Sequence, residues 1–337
     1  LHMKTLRTIL TIALAAIMLG SCNNSDNAEN KKRYMPNITG KPGEVLLVLD
    51  KNEWEGELGT ALRETLSEEF PYLPQREPIF NLFNTTPSSF QNYGAYSTHR
   101  NILRVHIGEA FDSCRVAYQE DVWAAPQIVI TISAPDKDGA LQIFEQHRER
   151  IVSSLETAER NRVIRNAKKY QEIELRQLVL DEYGGAPYFP QGYSLKKKTD
   201  DFIWISYETT YVNQGIFIYT YPYNGEKLSS ETMVAHRNEF MKKYVPSMRE
   251  GSYMITSSYV DPSFNWLQYK GRIFAESRGL WEVENDYMGG PFVCHTYLDK
   301  EQKNVIVIEG FIYAPKFDKR NYLRHVEAIL YSFEWDN

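Results

Sequence analysis

Hydrophobic residues in the first third of the chain recur in short runs separated by polar turns, a pattern that predicts strands around a helix. Val45–Leu49 is a continuous apolar run between Gly43 and Asp50, which is typical of a strand buried on both faces. Apolar residues then recur at helical spacing from Trp54 to Leu66, until prolines end the pattern. Further strands are predicted at 79–83, 102–107 and 127–133, with 113–118 as a candidate.

The middle of the chain follows a helical pattern. Ala140 to Tyr183 contains neither glycine nor proline, and its apolar residues are spaced by three, four and seven. We therefore predict a helix over 140–183 that breaks or bends once, because this length is unusual for one globular helix. The middle of this helix is basic, with Arg160, Arg162, Arg165, Lys168 and Lys169. This charge favours a solvated helix face with ion pairs such as Glu156–Arg160. The alternative is a contact with a partner or with lipid head groups.

Gly184-Gly185-Ala186-Pro187 ends this helix, and the remainder is aromatic and rich in predicted strands. A hairpin signal at 212–215 separates two strands, and Ser229 precedes a helix with an imperfect capping box, because Thr232 stands where glutamate is usual. Asp318 is predicted to cap a last amphipathic helix. The predicted strands are 202–207, 215–221, 252–259, 265–276, 292–298 and 304–313. The fold class is α+β, with two mixed α/β lobes, a largely antiparallel sheet in the second lobe and a long charged helix joining them.

The N-terminus has the pattern of an export signal. Leu1-His2 precede Met3 and are typical of a cloning remnant, and Lys4 and Arg7 then precede the apolar run Ile9–Leu19. This run is too short for a bilayer core, which needs roughly 20 residues. It ends in Leu19-Gly20-Ser21-Cys22, which resembles the bacterial lipobox and implies cleavage before Cys22 and a lipid on its sulfur. An ordinary signal peptide with a chance cysteine, or a short core helix, is the alternative.

The expected organisation follows from these boundaries. Residues 1–21 form the signal peptide, residues 22–43 the lipidated cysteine with a flexible polar tether, residues 44–183 an N-terminal lobe, and residues 184–337 a C-terminal lobe. Asn23 follows the lipid site in place of the aspartate that retains lipoproteins in the inner membrane of enteric bacteria, which favours the outer membrane. The expected location is a Gram-negative cell envelope, with the membrane as a partner through the lipid on Cys22.

Composition narrows the function classes. The chain has 337 residues, 42% of them hydrophobic and 24% charged, as in an average soluble domain. A net charge of −6 gives no global basic field, so we expect no nucleic-acid partner. After Cys22 only Cys114 and Cys294 remain, either as buried free thiols or as one disulfide between the lobes. No phosphate loop, nucleophile elbow or zinc-protease motif is present, and we expect neither a metal nor a cofactor.

Two groups of residues are candidates for chemistry. Cys294-His295 could supply a nucleophile and a base, but neighbours on a strand point to opposite faces and cannot pair directly. Glu282 and Glu284 would share a strand face near aromatic rings, which suits a glycosidase or only the wet side of a strand. The candidate ligand surface combines these carboxylates with aromatic residues that are either an exposed platform or sheet packing: Tyr219, Tyr221, Tyr223, Trp266, Tyr269, Trp281, Glu282 and Glu284.

Three segments together resemble domain-of-unknown-function family 4837. They are the lipobox, the stretch from Gly43 to Gly59 (Gly-Glu-Val-Leu-Leu-Val-Leu-Asp running into Trp-Glu-Gly-Glu-Leu-Gly) and the ending Tyr322–Trp335. Its members are similar full-length lipoproteins of gut Bacteroidetes, so the resemblance implies an envelope address over nearly the whole chain. It implies no activity and no functional residues. The sequence favours a non-enzymatic binding or scaffolding protein with a glycan or envelope-protein partner. The alternatives are a glycan hydrolase and a subunit of an envelope complex.

Overall fold

The computed structural model describes residues 35–336, and residues 37–336 form one compact unit. The predicted signal peptide, Cys22 and the start of the tether lie outside the described residues. The end of the predicted tether is held in place, which corrects its boundary. Thr39 pairs with His99 in a β-bridge, and the Gly43 amide donates to the buried Glu159 carboxylate at 3.2 Å. Polar composition alone misses this pairing, because backbone groups make most of it.

The first part of the chain forms a mixed sheet with helices. The elements are β1 (Glu44–Val48), α1 (Lys51–Glu55), α2 (Glu57–Leu66), β2 (Asn81–Thr85), α3 (Pro87–Asn92), α4 (Gly94–Ser97), β3 (Asn101–Ile107), β4 (Arg115–Glu120) and β5 (Ile128–Ala134). The strands lie in the order β2-β1-β3-β5-β4, and only β4 is antiparallel. Alternate residues of β1 enter two cores, with Val45 and Leu47 on one face and Leu46 and Val48 on the other, which explains its continuous apolar run.

The predicted long helix is present and breaks once. Helix α5 (Lys137–Lys169) has 33 residues, which corresponds to roughly 50 Å, and α6 (Ile173–Tyr183) follows after a break at Tyr170. The Asp136 side chain caps α5 by accepting from the Gly139 amide at 2.8 Å. Gly184 closes α6 in the left-handed conformation, with φ of 67°. The short strand β6 (Gly185–Ala186) follows.

The second sheet is antiparallel throughout, which confirms the predicted α+β class. The elements are β7 (Ser194–Lys198), β8 (Phe202–Glu208), β9 (Asn213–Pro222), α7 (Ser230–Tyr244), β10 (Met254–Thr256), β11 (Ser263–Tyr269), β12 (Arg272–Val283), β13 (Gly289–Leu298), β14 (Asn304–Tyr313), α8 (Arg320–Tyr331) and β15 (Glu334–Trp335). The strand order of the sheet is β10-β12-β13-β14-β9-β8-β7, and β11 pairs with β12 outside this path. One face of the sheet packs on α7 and the other on α8.

Several predicted local features of the second sheet are corrected. The strand predicted at 265–276 is a hairpin, because Lys270 and Gly271 both have positive φ and reverse the chain. The hairpin after β8 turns at 209–212, so residues 213–215 already belong to β9. The capping box at Ser229 is complete, since the Thr232 hydroxyl replaces the usual carboxylate and accepts from the Ser229 amide at 3.0 Å.

Helix α8 is capped from the first lobe and not by Asp318 as predicted. The Glu77 carboxylate accepts hydrogen bonds from the amides of Lys319 at 2.6 Å and Arg320 at 2.9 Å. A carboxylate at a helix N-terminus pairs with unsatisfied amides and with the positive end of the helix dipole. Because Glu77 lies 242 positions before Lys319, no local motif could identify it.

Within residues 35–336, no helix is long and apolar enough to cross a membrane.

Candidate functional site

A cleft of about 840 Å³ lies between α2 and α5. Leu58, Leu62 and Leu66 of α2 pack with Ile151 and Leu155 of α5 in one core, which sets the two helices side by side. The cleft side of α5 repeats at intervals of three and four residues, as one helix face must. It presents Glu145, Arg148, Glu149, Val152, Ser153, Glu156, Thr157 and Arg160.

The lining of the cleft carries an excess of negative charge. Six carboxylates and three guanidinium groups face it, and the excess lies at the rim, where exposed glutamates from both helices outnumber Arg148. The carboxylates are those of Glu64, Glu68, Glu145, Glu149, Glu156 and Glu327, and the guanidinium groups are those of Arg148, Arg160 and Arg278. The rim therefore attracts positively charged groups.

The floor of the cleft is a buried ion-pair network that joins α5 to the second sheet. Arg278 Nη2 on β12 donates to Glu327 Oε1 on α8 at 2.7 Å, and Arg160 Nη2 on α5 donates to the same oxygen at 3.3 Å. The Arg160 guanidinium also lies over the Tyr331 ring, 3.7 Å from its centroid. One carboxylate thus holds cations from two other elements, so the floor is rigid.

The network continues beneath the cleft into the second sheet. Arg278 Nε donates to Glu276 Oε1 at 2.8 Å, and the Tyr331 hydroxyl donates to Glu276 Oε2 at 3.1 Å. His295 Nε2 lies 3.2 Å from the same oxygen, because Glu276 and His295 are directly opposite on β12 and β13. The other ring nitrogen of His295, Nδ1, is buried and has no hydrogen-bond partner within the described residues.

Burial and the ion pairs shift the pKa values of the carboxylates and of Arg278 in this network away from neutrality. Burial alone would raise the pKa of Glu327, but Arg278 and Arg160 outweigh burial and hold that pKa below its usual range. Burial likewise opposes the charged form of Arg278, yet Glu327 and Glu276 raise its pKa well above the usual value. The pKa of Glu276 is lowered by the same balance, with Arg278 as its strongest cation. These groups keep their charges near pH 7, whereas an acid–base catalyst exchanges protons there.

Of the two alternatives left open for the three tyrosines, the structure shows sheet packing, which corrects their inclusion in the candidate ligand surface. Tyr219 is 2% exposed and stacks on Phe240 of α7 at 4.6 Å between ring centroids, and Tyr221 is 7% exposed and stacks on His236 at 3.9 Å. Tyr223 is partly buried against the same core. Strand alternation does place the three on one face, and that face packs on α7. They are sheet packing and present no platform for a ligand.

The other members of the predicted surface are dispersed. Trp281 is 2% exposed, and its indole donates to the Ile312 carbonyl at 3.2 Å. Trp266 is 54% exposed on β11, whereas Tyr269 packs against Tyr331. Glu282 accepts from the Ser257 hydroxyl at 3.1 Å.

Two of these predicted residues do share a pocket, but the predicted carboxylate pair is corrected. Trp281 and Glu282 line a shallow pocket of about 300 Å³. Strand β12 ends at Val283, so Glu284 lies in the following loop and not on a strand face shared with Glu282. The two carboxylates nevertheless line one open pocket of about 420 Å³ at the end of this strand.

Cys114 and Cys294, the two cysteines within the described residues, are free thiols and form no disulfide. Cys294 and His295 point to opposite faces as predicted, because Cys294 packs in the core under α7 and His295 contacts Tyr331 of α8. Cys294 Sγ donates to Glu309 Oε2 at 3.2 Å, on the face that packs on α7. Burial and the Glu309 carboxylate raise the pKa of this thiol well above its usual value, which disfavours the nucleophilic thiolate. Among the described residues, no group of histidine, cysteine, aspartate and glutamate side chains could hold a metal ion.

Sequence reasoning missed the cleft because its floor combines residues far apart in the chain. The basic stretch of α5 was the available signal, but neither predicted role fits its first two members. Arg160 is bound to Glu327, and Arg162 Nη2 donates to the Arg100 carbonyl at 2.7 Å. Glu156 pairs with Arg324 and not with Arg160 as predicted. Arg165, Lys168 and Lys169 remain exposed.

Comparison with known proteins identifies two domains of unknown function. Residues 173–332 match the family described as domain of unknown function DUF4837, and residues 38–168 match the one described as domain of unknown function DUF8532. None of the curated proteins matches the chain. A crystal structure from Bacteroides thetaiotaomicron aligns with 46% of this chain and 46% of its own, at 8% identity and a TM-score of 0.20. At that score the alignment carries no argument.

These matches confirm the resemblance to family 4837 and correct its extent. The segment from Gly43 to Gly59 lies outside the DUF4837 match and within the DUF8532 match. The cleft is built from both matched segments, since Arg160 lies in the first and Arg278 and Glu327 in the second. Residues 173–332 of this chain are matched by the domain-of-unknown-function family DUF4837.

Proposed function

We propose that this chain is a lipid-anchored binding protein of a Gram-negative cell envelope, which holds a positively charged ligand in the cleft between α2 and α5. The observation that carries the binding role is the cleft itself, with an acidic rim above a floor of paired charges. A volume of about 840 Å³ lies within the usual range of roughly 300–1,000 Å³ for ligand pockets. The export signal and the lipobox support the envelope address.

The charge arrangement supports binding more than catalysis. Each buried carboxylate of the floor is held by an arginine, so its pKa is lowered away from the range of a general acid or base. The rim glutamates are exposed and can exchange water for a cationic group without a large desolvation penalty. A rigid floor and a charged rim suit recognition of a flexible basic ligand, because the site itself is already ordered.

Binding at the rim is tested with tetralysine as the probe, by isothermal titration calorimetry on the full mature chain. We expect the wild-type protein to bind tetralysine and not tetraglutamate, and the affinity to fall as salt screens the rim. The double change Glu64→Gln and Glu68→Gln should weaken binding by about tenfold, since each lost charge removes a modest exposed attraction.

The matched control for the rim is the double change Glu174→Gln and Glu250→Gln, which also removes two exposed carboxylates, both outside the cleft. It should leave tetralysine binding unchanged. Equal weakening by this control would mean that tetralysine responds only to net charge, and it would overturn the cleft as the site. If the wild-type protein bound tetraglutamate as tightly as tetralysine, the proposed preference for positive charge would be overturned.

The lipid anchor is tested with Cys22→Ala and labelled palmitate in a Gram-negative host. The wild-type chain should incorporate the label and fractionate with membranes, and the variant should lose both properties, because the sulfur carries the diacylglycerol. Globomycin, which blocks cleavage of lipidated precursors, should cause the larger unprocessed form to accumulate. A wild-type chain without label would exclude lipidation and leave the cleft experiment unaffected.

A further inference from the structure

A second cavity, of about 520 Å³, lies where the break between α5 and α6 meets β8, β9 and α8. The break produces it, because the chain leaves the helix at Tyr170, whose carbonyl accepts from the Gln191 amide at 2.9 Å. The Tyr170 side chain is therefore left at the mouth, with half of its surface exposed. The cavity shares no lining residue with the acidic cleft.

Aromatic rings form one wall of this cavity. Tyr193 is buried between two rings, with its centroid 5.9 Å from that of Tyr207 and 6.3 Å from that of His325. Gly192 allows this approach, because it has φ of 94° and an added Cβ would lie 3.0 Å from the Tyr207 ring. The rings of Tyr170 and Tyr207 remain partly open to solvent. Lys169 Nζ lies over the Tyr170 ring, 4.7 Å from its centroid, so a ligand would stack on the other face of that ring. Aromatic rings at a cavity mouth offer flat apolar faces to a ligand.

The polar groups of the lining are uncharged. Among the described residues that line the cavity, the polar side chains other than the tyrosines are the amides of Asn166, Gln191 and Gln214 and the imidazole of His325. Burial lowers the pKa of His325 to about 4, so its ring is neutral at pH 7. Gln214 is 7% exposed, and its Oε1 has no hydrogen-bond partner within the described residues. A buried amide oxygen without a partner is costly unless a ligand or water satisfies the group.

We propose that this cavity binds a neutral polyhydroxyl ligand, of the size of one or two sugar rings. A charged ligand would lose its hydration without gaining an opposite charge from the lining, whereas a neutral sugar loses less hydration free energy and its hydroxyl groups can regain hydrogen bonds from the lining. Its hydroxyl groups both donate and accept, which matches amides and tyrosine hydroxyls, and its C–H faces pack on aromatic rings. This ligand class differs from the cationic one proposed for the cleft, so the two proposals stand separately.

The experiment is saturation-transfer difference NMR on the full mature chain with maltose, cellobiose, lactose and N,N′-diacetylchitobiose as probes. Glucuronic acid and glucosamine serve as charged comparators. At least one neutral disaccharide should receive saturation, and the charged comparators should not. Tyr170→Ala should weaken that binding by about tenfold, because an open stacking face is lost. Gln214→Leu should also weaken it while the thermal stability is kept, since the change removes an amide with an unpartnered oxygen.

The matched control is Tyr211→Ala, which removes a tyrosine of nearly equal exposure, 47% against 50%, outside the cavity. It should leave disaccharide binding unchanged. The proposal is overturned if none of the four disaccharides receives saturation, if the charged comparators bind equally well, or if Tyr170→Ala and Tyr211→Ala have the same effect. Failure of tetralysine to bind the cleft would not affect this result.

Discussion

Replacing Glu327 with alanine is expected to lower the free energy of unfolding by about 3–5 kcal/mol. The change leaves Arg160 without its ion-pair partner and Arg278 with only Glu276, in a site where Glu327 itself is 4% exposed. An unpaired buried guanidinium loses most of its hydration without compensation, which is why breaking one side of a buried pair costs far more than an exposed pair contributes. Urea unfolding followed by circular dichroism measures the effect.

Glu301→Ala is the matched control for this change. Glu301 pairs with Lys303 at 2.5 Å, but both side chains are about 70% exposed. Its removal should change the free energy of unfolding by less than about 0.5 kcal/mol. If Glu327→Ala were as mild as this control, the floor of the cleft would not be a desolvated network. Its proposed role as a rigid base for ligand binding would then lose its physical basis.

The Glu327 network marks the limit of what the sequence could predict. The network joins residues that are far apart in the chain, since 167 positions separate Arg160 from Glu327. Whether these two residues meet Arg278 depends on how α5, β12 and α8 pack together. Hydrophobic periodicity predicts that each element exists, because it reflects which face is buried. It contains no information about which buried polar group on one element will face which group on another.

Local pattern succeeded where the deciding interactions are local. The apolar run of β1 and the single break between α5 and α6 follow from burial on both faces and from helix length. It failed at the hairpin of Lys270 and Gly271, where two residues with positive φ interrupt a continuous strand pattern. The glycine was a usable signal for a turn, but the aromatic residues on both sides favoured one long strand.

The choice between platform and packing for Tyr219 and Tyr221 could not be made from sequence either. Alternation predicts that they share a face of β9, and this is what the structure has. Whether a helix covers that face depends on the path of α7, whose residues Phe240 and His236 stack on the two rings. The alternation of side chains along β9 therefore fits an exposed sheet face and a covered one equally well.

A second buried charge pair, between Arg237 and Glu309, lies on the face of the sheet that packs on α7. Arg237 Nε and Nη2 donate to the two carboxylate oxygens of Glu309 at 2.9 and 2.8 Å, and Nη1 donates to the Thr256 hydroxyl at 2.9 Å. The two side chains are 3% and 0% exposed. The guanidinium also lies over the Phe292 ring, 4.1 Å from its centroid. This bidentate geometry is the strongest form of a protein ion pair.

Arg237→Met is therefore expected to lower the free energy of unfolding by about 3–5 kcal/mol. Among the described side chains, the Glu309 carboxylate would then accept a hydrogen bond only from the Cys294 thiol, which is a weak donor. The double variant Arg237→Met and Glu309→Leu should recover most of that loss, since two apolar side chains of similar volume leave no unpaired charge. Thermal and urea unfolding of the two variants and the wild type measure both effects. A double variant as unstable as Arg237→Met would mean that lost packing around Phe292, and not the unpaired carboxylate, determines the cost.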